Sequence, residues 1–111
     1  MRIAALCAML LALGVGMHGW VAGLAQTPEP KNPYPSTPEI LTEGRELYLE
    51  AGCYACHGLE ATGRGQLGPD LTHLPKTDAA IHAILLEVFK GKVTGEELWK
   101  ILVYLRSLAK P

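Results

Sequence analysis

The residues best suited to chemistry in this chain of 111 residues are two cysteines and a histidine in the run Cys53-Tyr54-Ala55-Cys56-His57. Two residues separate the thiols, and the imidazole directly follows the second thiol. This spacing is typical of covalent haem attachment, in which each thiol adds to one vinyl group and the adjacent imidazole binds the iron. The run therefore predicts one covalent haem c, with thioethers from Cys53 and Cys56 and with His57 as the proximal axial iron ligand.

Two other uses of these cysteines stay open at this point. A disulfide between Cys53 and Cys56 suits an exported protein, although a redox-active pair normally lies in a βαβ unit and no stretch shows the alternation of a strand. A structural zinc site needs four ligands, and the sequence has no second cysteine pair. The third cysteine, Cys7, lies in an apolar stretch and is interpreted as an apolar residue. The haem interpretation is favoured because it also agrees with the export signal and with the small size of the domain.

The N-terminus has the features of an export signal. Met1-Arg2 is a short positive start, an apolar stretch comes next, and small residues at Gly23 and Ala25 suit cleavage after Ala25. Residues 1–25 are therefore predicted to be a signal peptide. The alternative is an uncleaved N-terminal membrane anchor, because the apolar run to Leu24 is about long enough to span a bilayer. Either interpretation predicts a protein that is periplasmic or otherwise exported, and membrane-bound only if the segment is retained.

Composition limits the chain after the export segment to one small domain. The formal net charge is −1, so the chain has no basic excess for nucleic acid and no acidic tail. Five prolines between residues 26 and 38 predict a stiff, extended linker. Residues 39–111 then form the domain. A domain of this size has little core of its own, so we expect a cofactor to contribute to it.

Three helices are predicted within this domain. Each begins at a capping signal: Thr37-Pro38, Thr77-Asp78, and Thr94 with Glu97, which form a capping box. The helices are expected to end near Ala51, Phe89 and Leu108. A long glycine-rich loop, residues 58–76, separates the first two helices. A loop of this length in a small domain is expected to pack around another group.

Four stretches of the sequence resemble the small mono-haem class I cytochromes c, over about residues 39–110. The resemblance implies an all-α cytochrome c fold, with three main helices packed around one covalently attached haem. It also implies that the carbonyl of Pro69 holds the ring of His57 through a hydrogen bond. The stretches are Gly44-Arg45-Glu46-Leu47-Tyr48, Gly52-Cys53-Tyr54-Ala55-Cys56-His57-Gly58, Gly68-Pro69-Asp70-Leu71, and the helix from Glu97-Leu98-Trp99 to Tyr104-Leu105-Arg106.

The sequence departs from this family at the sixth iron ligand, which is usually a methionine. All three methionines lie in the export segment, and the family's methionine position falls on Leu86. His82 lies one helical turn before Leu86 and is a candidate sixth ligand, and His73 in the loop is another. A solvated or hydrogen-bonded role for either histidine, and a vacant sixth position, stay open as well.

The resemblance implies an electron carrier and not an enzyme. Its haem would pass electrons between redox partner proteins, which can themselves be membrane-bound. The alternative is a five-coordinate haem protein that binds a small gas ligand or reacts with peroxide, with weak peroxidase-like activity if the sixth site is open.

Overall fold

The computed structural model describes residues 27–63 and 67–109 of the chain. The predicted signal peptide or anchor, residues 1–25, therefore lies outside the described residues. Within the described ranges the fold is all-helical and has no strand, which confirms the predicted class. No helix in these ranges has the length and apolar character needed to cross a membrane. The helices are α1 (Pro38–Glu50), α2 (Tyr54–His57), α3 (Asp78–Phe89) and α4 (Gly95–Ser107).

The three long helices begin at the predicted capping residues. The hydroxyls of Thr37, Thr77 and Thr94 each accept a hydrogen bond from the backbone N–H three positions on, at 3.2–3.4 Å. Thr94 also donates its own N–H to the carboxylate of Glu97 at 2.8 Å, so the capping box is complete. These bonds satisfy N–H groups that have no partner inside the helix. Helix α2 is a single turn, and it is the one helix in the described ranges that the spacing of apolar residues did not predict.

Helix α1 crosses α4 at Gly44, and this contact closes the domain. A Cβ atom at Gly44 would collide with the carbonyl oxygen of Lys100 and lie 2.8 Å from the Cβ of Tyr104. Only glycine therefore permits the two helices to approach so closely. The Tyr48 and Tyr104 rings pack edge to face beside this crossing, with centroids 5.7 Å apart. The buried cluster consists of Tyr48, Ala61, Val93, Leu98, Ile101, Leu102, Tyr104 and Leu105.

The start of α3 and the end of the preceding loop are held by Arg106 of α4. Its guanidinium donates to the carboxylate of Asp78 at 2.8 Å and to the carbonyl oxygens of Leu74 and Lys76 at 2.7 and 2.5 Å. The planar guanidinium has several donors at fixed angles, so one side chain fixes three points of the chain. The loop is thereby attached to the C-terminal helix.

Residues 27–37 of the proline-rich segment form no helix or strand and are mostly exposed, but two of the side chains in this segment contact the domain. The amide of Asn32 donates to the carbonyl oxygen of Trp99 in α4 at 2.9 Å. The ammonium of Lys100 lies 5.1 Å from the centre of the Tyr34 ring and 2.6 Å from the carboxylate of Glu43. Proline has no backbone N–H to donate in a hydrogen bond. The side chains of Asn32 and Tyr34, which lie between the prolines, make these contacts with the domain.

We expect Gly44→Ala to destabilise the fold by about 1–3 kcal/mol, because the new Cβ meets backbone atoms that cannot rotate away. The matched control is Gly95→Ala, whose Cβ would be in ordinary contact with the ring of His82 at 3.6 Å. Thermal unfolding of both variants and of the wild type measures the difference. Equal melting temperatures for Gly44→Ala and the wild type would contradict the close crossing.

Candidate cofactor site

Helix α2 directs both thiols and the imidazole into one cavity. Cys53 precedes the helix with helical backbone angles, φ −56° and ψ −35°, so it continues the same turn as Cys56 and His57. Residues three and four positions apart share one face of a helix. The N–H of His57 donates to the carbonyl oxygen of Cys53 at 3.1 Å and closes the turn. All three side chains line a cavity of about 340 Å³.

The walls of this cavity are hydrocarbon. They come from the end of α1, the loop, α3 and α4, so every long helix contributes. Helix α3 contains nine apolar side chains among its 12 residues, yet none of its residues is buried. Its Val88 lines the cavity and is 66% exposed. The apolar lining residues outside α2 are Ala51, Leu71, Leu74, Ile81, Leu85, Val88, Phe89, Leu98, Ile101 and Leu105.

The donor set and the cavity fit a covalent haem. Cys53 and Cys56 are both free thiols, as thioether formation requires, and burial raises the pKa of the Cys53 thiol. The apolar walls suit the hydrocarbon faces of a porphyrin, which would cover the face that α3 leaves open. Neither alternative gains support, because the cysteines form no disulfide and the described ranges hold no group of three or more metal-ligating side chains.

The ring of His57 is held in one orientation by the backbone of Pro69. The Nδ1 atom lies 2.7 Å from the carbonyl oxygen of Pro69. A carbonyl can only accept a hydrogen bond, so Nδ1 carries the proton and Nε2 keeps the lone pair that binds a metal. This is the hydrogen bond that the resemblance implied, and it increases the donor strength of the imidazole.

Gly68 permits the loop to lie directly against the His57 ring. A Cβ atom at Gly68 would lie 2.6 Å from both Cε1 and Nδ1 of that ring. The N–H of Gly68 also donates to the carbonyl oxygen of Cys56 at 2.6 Å. The loop therefore folds back onto α2, and its closest approach is at the imidazole.

Two further contacts hold the loop in this position. The N–H of Gly63 donates to the carbonyl oxygen of His57 at 2.8 Å, and Gly63 has a left-handed φ of +69° that favours glycine. The hydroxyl of Tyr48 donates to the carbonyl oxygen of Gly58 at 2.7 Å. Burial raises the pKa of Tyr48 to about 12, so this hydroxyl keeps its proton at any physiological pH.

Sequence reasoning did not find the site roles of Tyr48, Gly63 and Gly68. Tyr48 and Gly68 lie in stretches that resemble the family, but the sequence assigned neither a role at the site, and Gly63 was one residue of the glycine-rich loop. The Gly68-Pro69 pair carries the one local signal, because a glycine beside the residue that binds the imidazole indicates a close approach.

Neither candidate histidine for the sixth position lines the cavity. The Nε2 atom of His82 donates to the carbonyl oxygen of Gly95 at 2.8 Å, and its ring stacks on Trp99 with centroids 3.8 Å apart. His73 is exposed, and its Nδ1 lies 2.9 Å from the hydroxyl of Thr72. Leu86 and His82 lie on the same side of α3, the side that faces Gly95, as their spacing indicates. A different side of α3 lines the cavity.

The comparisons with known proteins agree with this site. Residues 41–84 match the family model described as Cytochrome c. The matched range contains most of α1, the attachment run, the loop with Pro69 and the first half of α3. No curated protein and no solved structure matches the chain significantly. The match, the all-helical fold and the two thiols with their adjacent histidine together support a class I cytochrome c, a family whose cofactor is covalently bound haem c with its iron.

Proposed function

We propose that this haem-binding electron carrier is an exported protein that passes single electrons between redox partner proteins. The match of residues 41–84 to the Cytochrome c family supports the carrier function itself. The observation that carries the proposal is the shared cavity, in which two free thiols and an oriented imidazole meet hydrocarbon walls. The same match supports a carrier over an enzyme, and it does not favour the alternative of a five-coordinate haem protein that binds a small gas ligand or reacts with peroxide.

The bound haem would supply the one-electron chemistry of its iron, and the protein would set the conditions for it. Thioethers at Cys53 and Cys56 would fix the position of the macrocycle. The Pro69 carbonyl orients His57 and strengthens it as a ligand, which stabilises the ferric state. The hydrocarbon walls would surround the macrocycle with apolar side chains, and such burial is one of the means by which a protein sets the reduction potential of a haem.

Export is supported by the N-terminal sequence, in which a short positive start, an apolar stretch and small residues at Gly23 and Ala25 resemble a signal peptide. The formal net charge of −1 gives no strong electrostatic steering toward one kind of partner. We propose that the partners are redox proteins that are exported themselves or face the exported side of a membrane. Fractionation of cells that express the full chain tests this, and haem-stained protein confined to the cytoplasm would contradict export.

We expect Cys53→Ala and Cys56→Ala to leave the haem singly tethered or to lose it, because each thiol makes one thioether. Acidified organic solvent extracts haem from a protein only when no covalent bond holds it, so haem retention on the denatured chain measures attachment. Cys7→Ala is the matched control and should keep the haem of the wild type. Release of the haem from denatured wild-type protein would show that the attachment is not covalent.

We expect Gly68→Ala to raise the reduction potential of the iron. Its Cβ would displace the His57 ring and weaken the bond to Pro69, so the imidazole becomes a poorer donor to ferric iron. Potentiometric titration measures the shift, with Gly95→Ala as the control that adds the same methyl group away from the cavity. An unchanged potential in Gly68→Ala would show that the loop does not position the imidazole.

A further inference from the structure

The carbonyl group that holds the ring of His57 belongs to an exposed part of the loop. Its peptide unit joins Pro69 to Asp70, and both residues are exposed. Water therefore competes with the imidazole for the Pro69 carbonyl oxygen, and the net strength of such a hydrogen bond is small. The 2.7 Å bond to Nδ1 thus depends on how firmly the backbone holds this peptide unit in place.

Backbone contacts fix the loop on both sides of this peptide unit. Just before it, the N–H of Gly68 donates to the carbonyl oxygen of Cys56 at 2.6 Å. Just after it, the N–H of Leu71 donates to the carbonyl oxygen of Ala61 at 2.7 Å. Gly63 packs on the unit itself, because a Cβ atom at Gly63 would lie 2.7 Å from both its carbonyl carbon and its nitrogen. The position of the unit is therefore restrained, and its orientation depends on the residue that follows.

The side chain of Asp70 closes a turn directly after the peptide unit. Its Oδ1 atom accepts the backbone N–H of Thr72 at 2.7 Å and the hydroxyl of Thr72 at 2.6 Å. A carboxylate that accepts from the backbone two positions on takes the place of a carbonyl in a turn. The turn restrains the backbone of Asp70, and because a peptide unit is planar, it also restrains the direction of the Pro69 carbonyl.

Thr72 is buried although it lies between exposed residues of the loop. Only 7% of its surface is exposed, whereas Asp70 and His73 are both exposed. A buried hydroxyl is costly without a hydrogen-bond partner. The single hydrogen of this hydroxyl goes to the Asp70 carboxylate, and Nδ1 of His73 lies 2.9 Å from the hydroxyl oxygen. Hydrogen bonds to a carboxylate are among the stronger ones in proteins, so Thr72 holds Asp70 firmly.

We propose that Asp70 and Thr72 are positioning residues for the proximal imidazole. Their turn directs the Pro69 carbonyl at Nδ1 of His57 and thereby helps to set the reduction potential of the iron. This inference rests on the proposed function, because the potential exists only with the haem in place. A well-directed hydrogen bond from Nδ1 makes the imidazole a better donor and stabilises the ferric state. Loss of the turn therefore raises the potential.

Thr72 variants test the hydroxyl. Thr72→Val removes it and keeps the shape of the side chain, whereas Thr72→Ser keeps it and is the matched control. We expect the holoprotein of Thr72→Val to have a higher reduction potential than the wild type, and Thr72→Ser to keep the wild-type potential. We also expect the Nδ1 proton of His57, followed by proton NMR, to exchange with solvent about tenfold faster in Thr72→Val, the effect of one hydrogen bond to a charged group.

Two results with the Thr72 variants would overturn the inference. The first is a wild-type potential or a wild-type exchange rate in Thr72→Val, even if its melting temperature is lowered, because the hydroxyl would then serve stability alone. The second is an equal rise of the potential in Thr72→Ser, which would assign the effect to packing of the side chain. A wild-type protein without haem in a pyridine haemochrome assay would contradict the proposed function instead.

Asp70 variants separate the turn from the charge. Asp70→Asn and Asp70→Ala lose the same negative charge, so the charge affects both potentials alike. The amide oxygen of asparagine can accept both hydrogen bonds from Thr72, and alanine can accept neither. We therefore expect a higher reduction potential in Asp70→Ala than in Asp70→Asn. Equal potentials would show that Asp70 affects the iron only through its charge, and would overturn the inference.

Discussion

Helix α3 is apolar along most of its length, yet the protein buries none of its 12 residues. The buried cluster draws on α1, α4 and their neighbours, and α3 adds to it only the partly buried side chains of Ile81, Leu85 and Phe89, which also line the cavity. A flat hydrophobic cofactor that fills this space therefore completes the core. Filling the cavity must stabilise the folded chain relative to the unfolded one, since a group that binds only the folded state shifts the equilibrium toward it. The cofactor is a structural part of the domain as well as its redox centre.

Polar contacts between α3 and α4 are concentrated in the first part of α3. Arg106 holds Asp78, and His82 packs between Gly95 and Trp99. The second half of α3, from Leu85 to Phe89, supplies cavity wall. Because these polar contacts hold the first part of α3 against α4, the apolar side chains of its second half can line the cavity. It also gives His82 a structural role, because its ring joins the two helices.

The features that sequence predicted well are those that depend on neighbours in the chain. The attachment run and the threonine caps act within three or four positions, so their spacing identifies them. The bond from His57 to Pro69 was implied by the family's Gly-Pro segment. The side of α3 that faces the cavity was harder to predict. Ile84, Leu86 and Val88 make α3 apolar on more than one side, so the spacing of its apolar residues does not identify the side that packs inward. Packing against α4 decides that His82 points away from the cavity, and the Tyr48 and Gly68 contacts likewise depend on approaches between distant parts of the chain.

The crossing of α1 and α4 has a consequence for the order of folding. Glu43 and Lys100, which pair beside Gly44, are 57 positions apart, whereas the hydrogen bonds of the attachment turn span only three or four. Contacts of long sequence separation form slowly because a large loop must close first. The turn that presents the thiols can therefore form while the rest of the chain is still open. Since α4 supplies part of the cavity wall, the chain is most accessible to its cofactor before the last helix docks. Maturation in that order would make the crossing at Gly44 the step that encloses the haem.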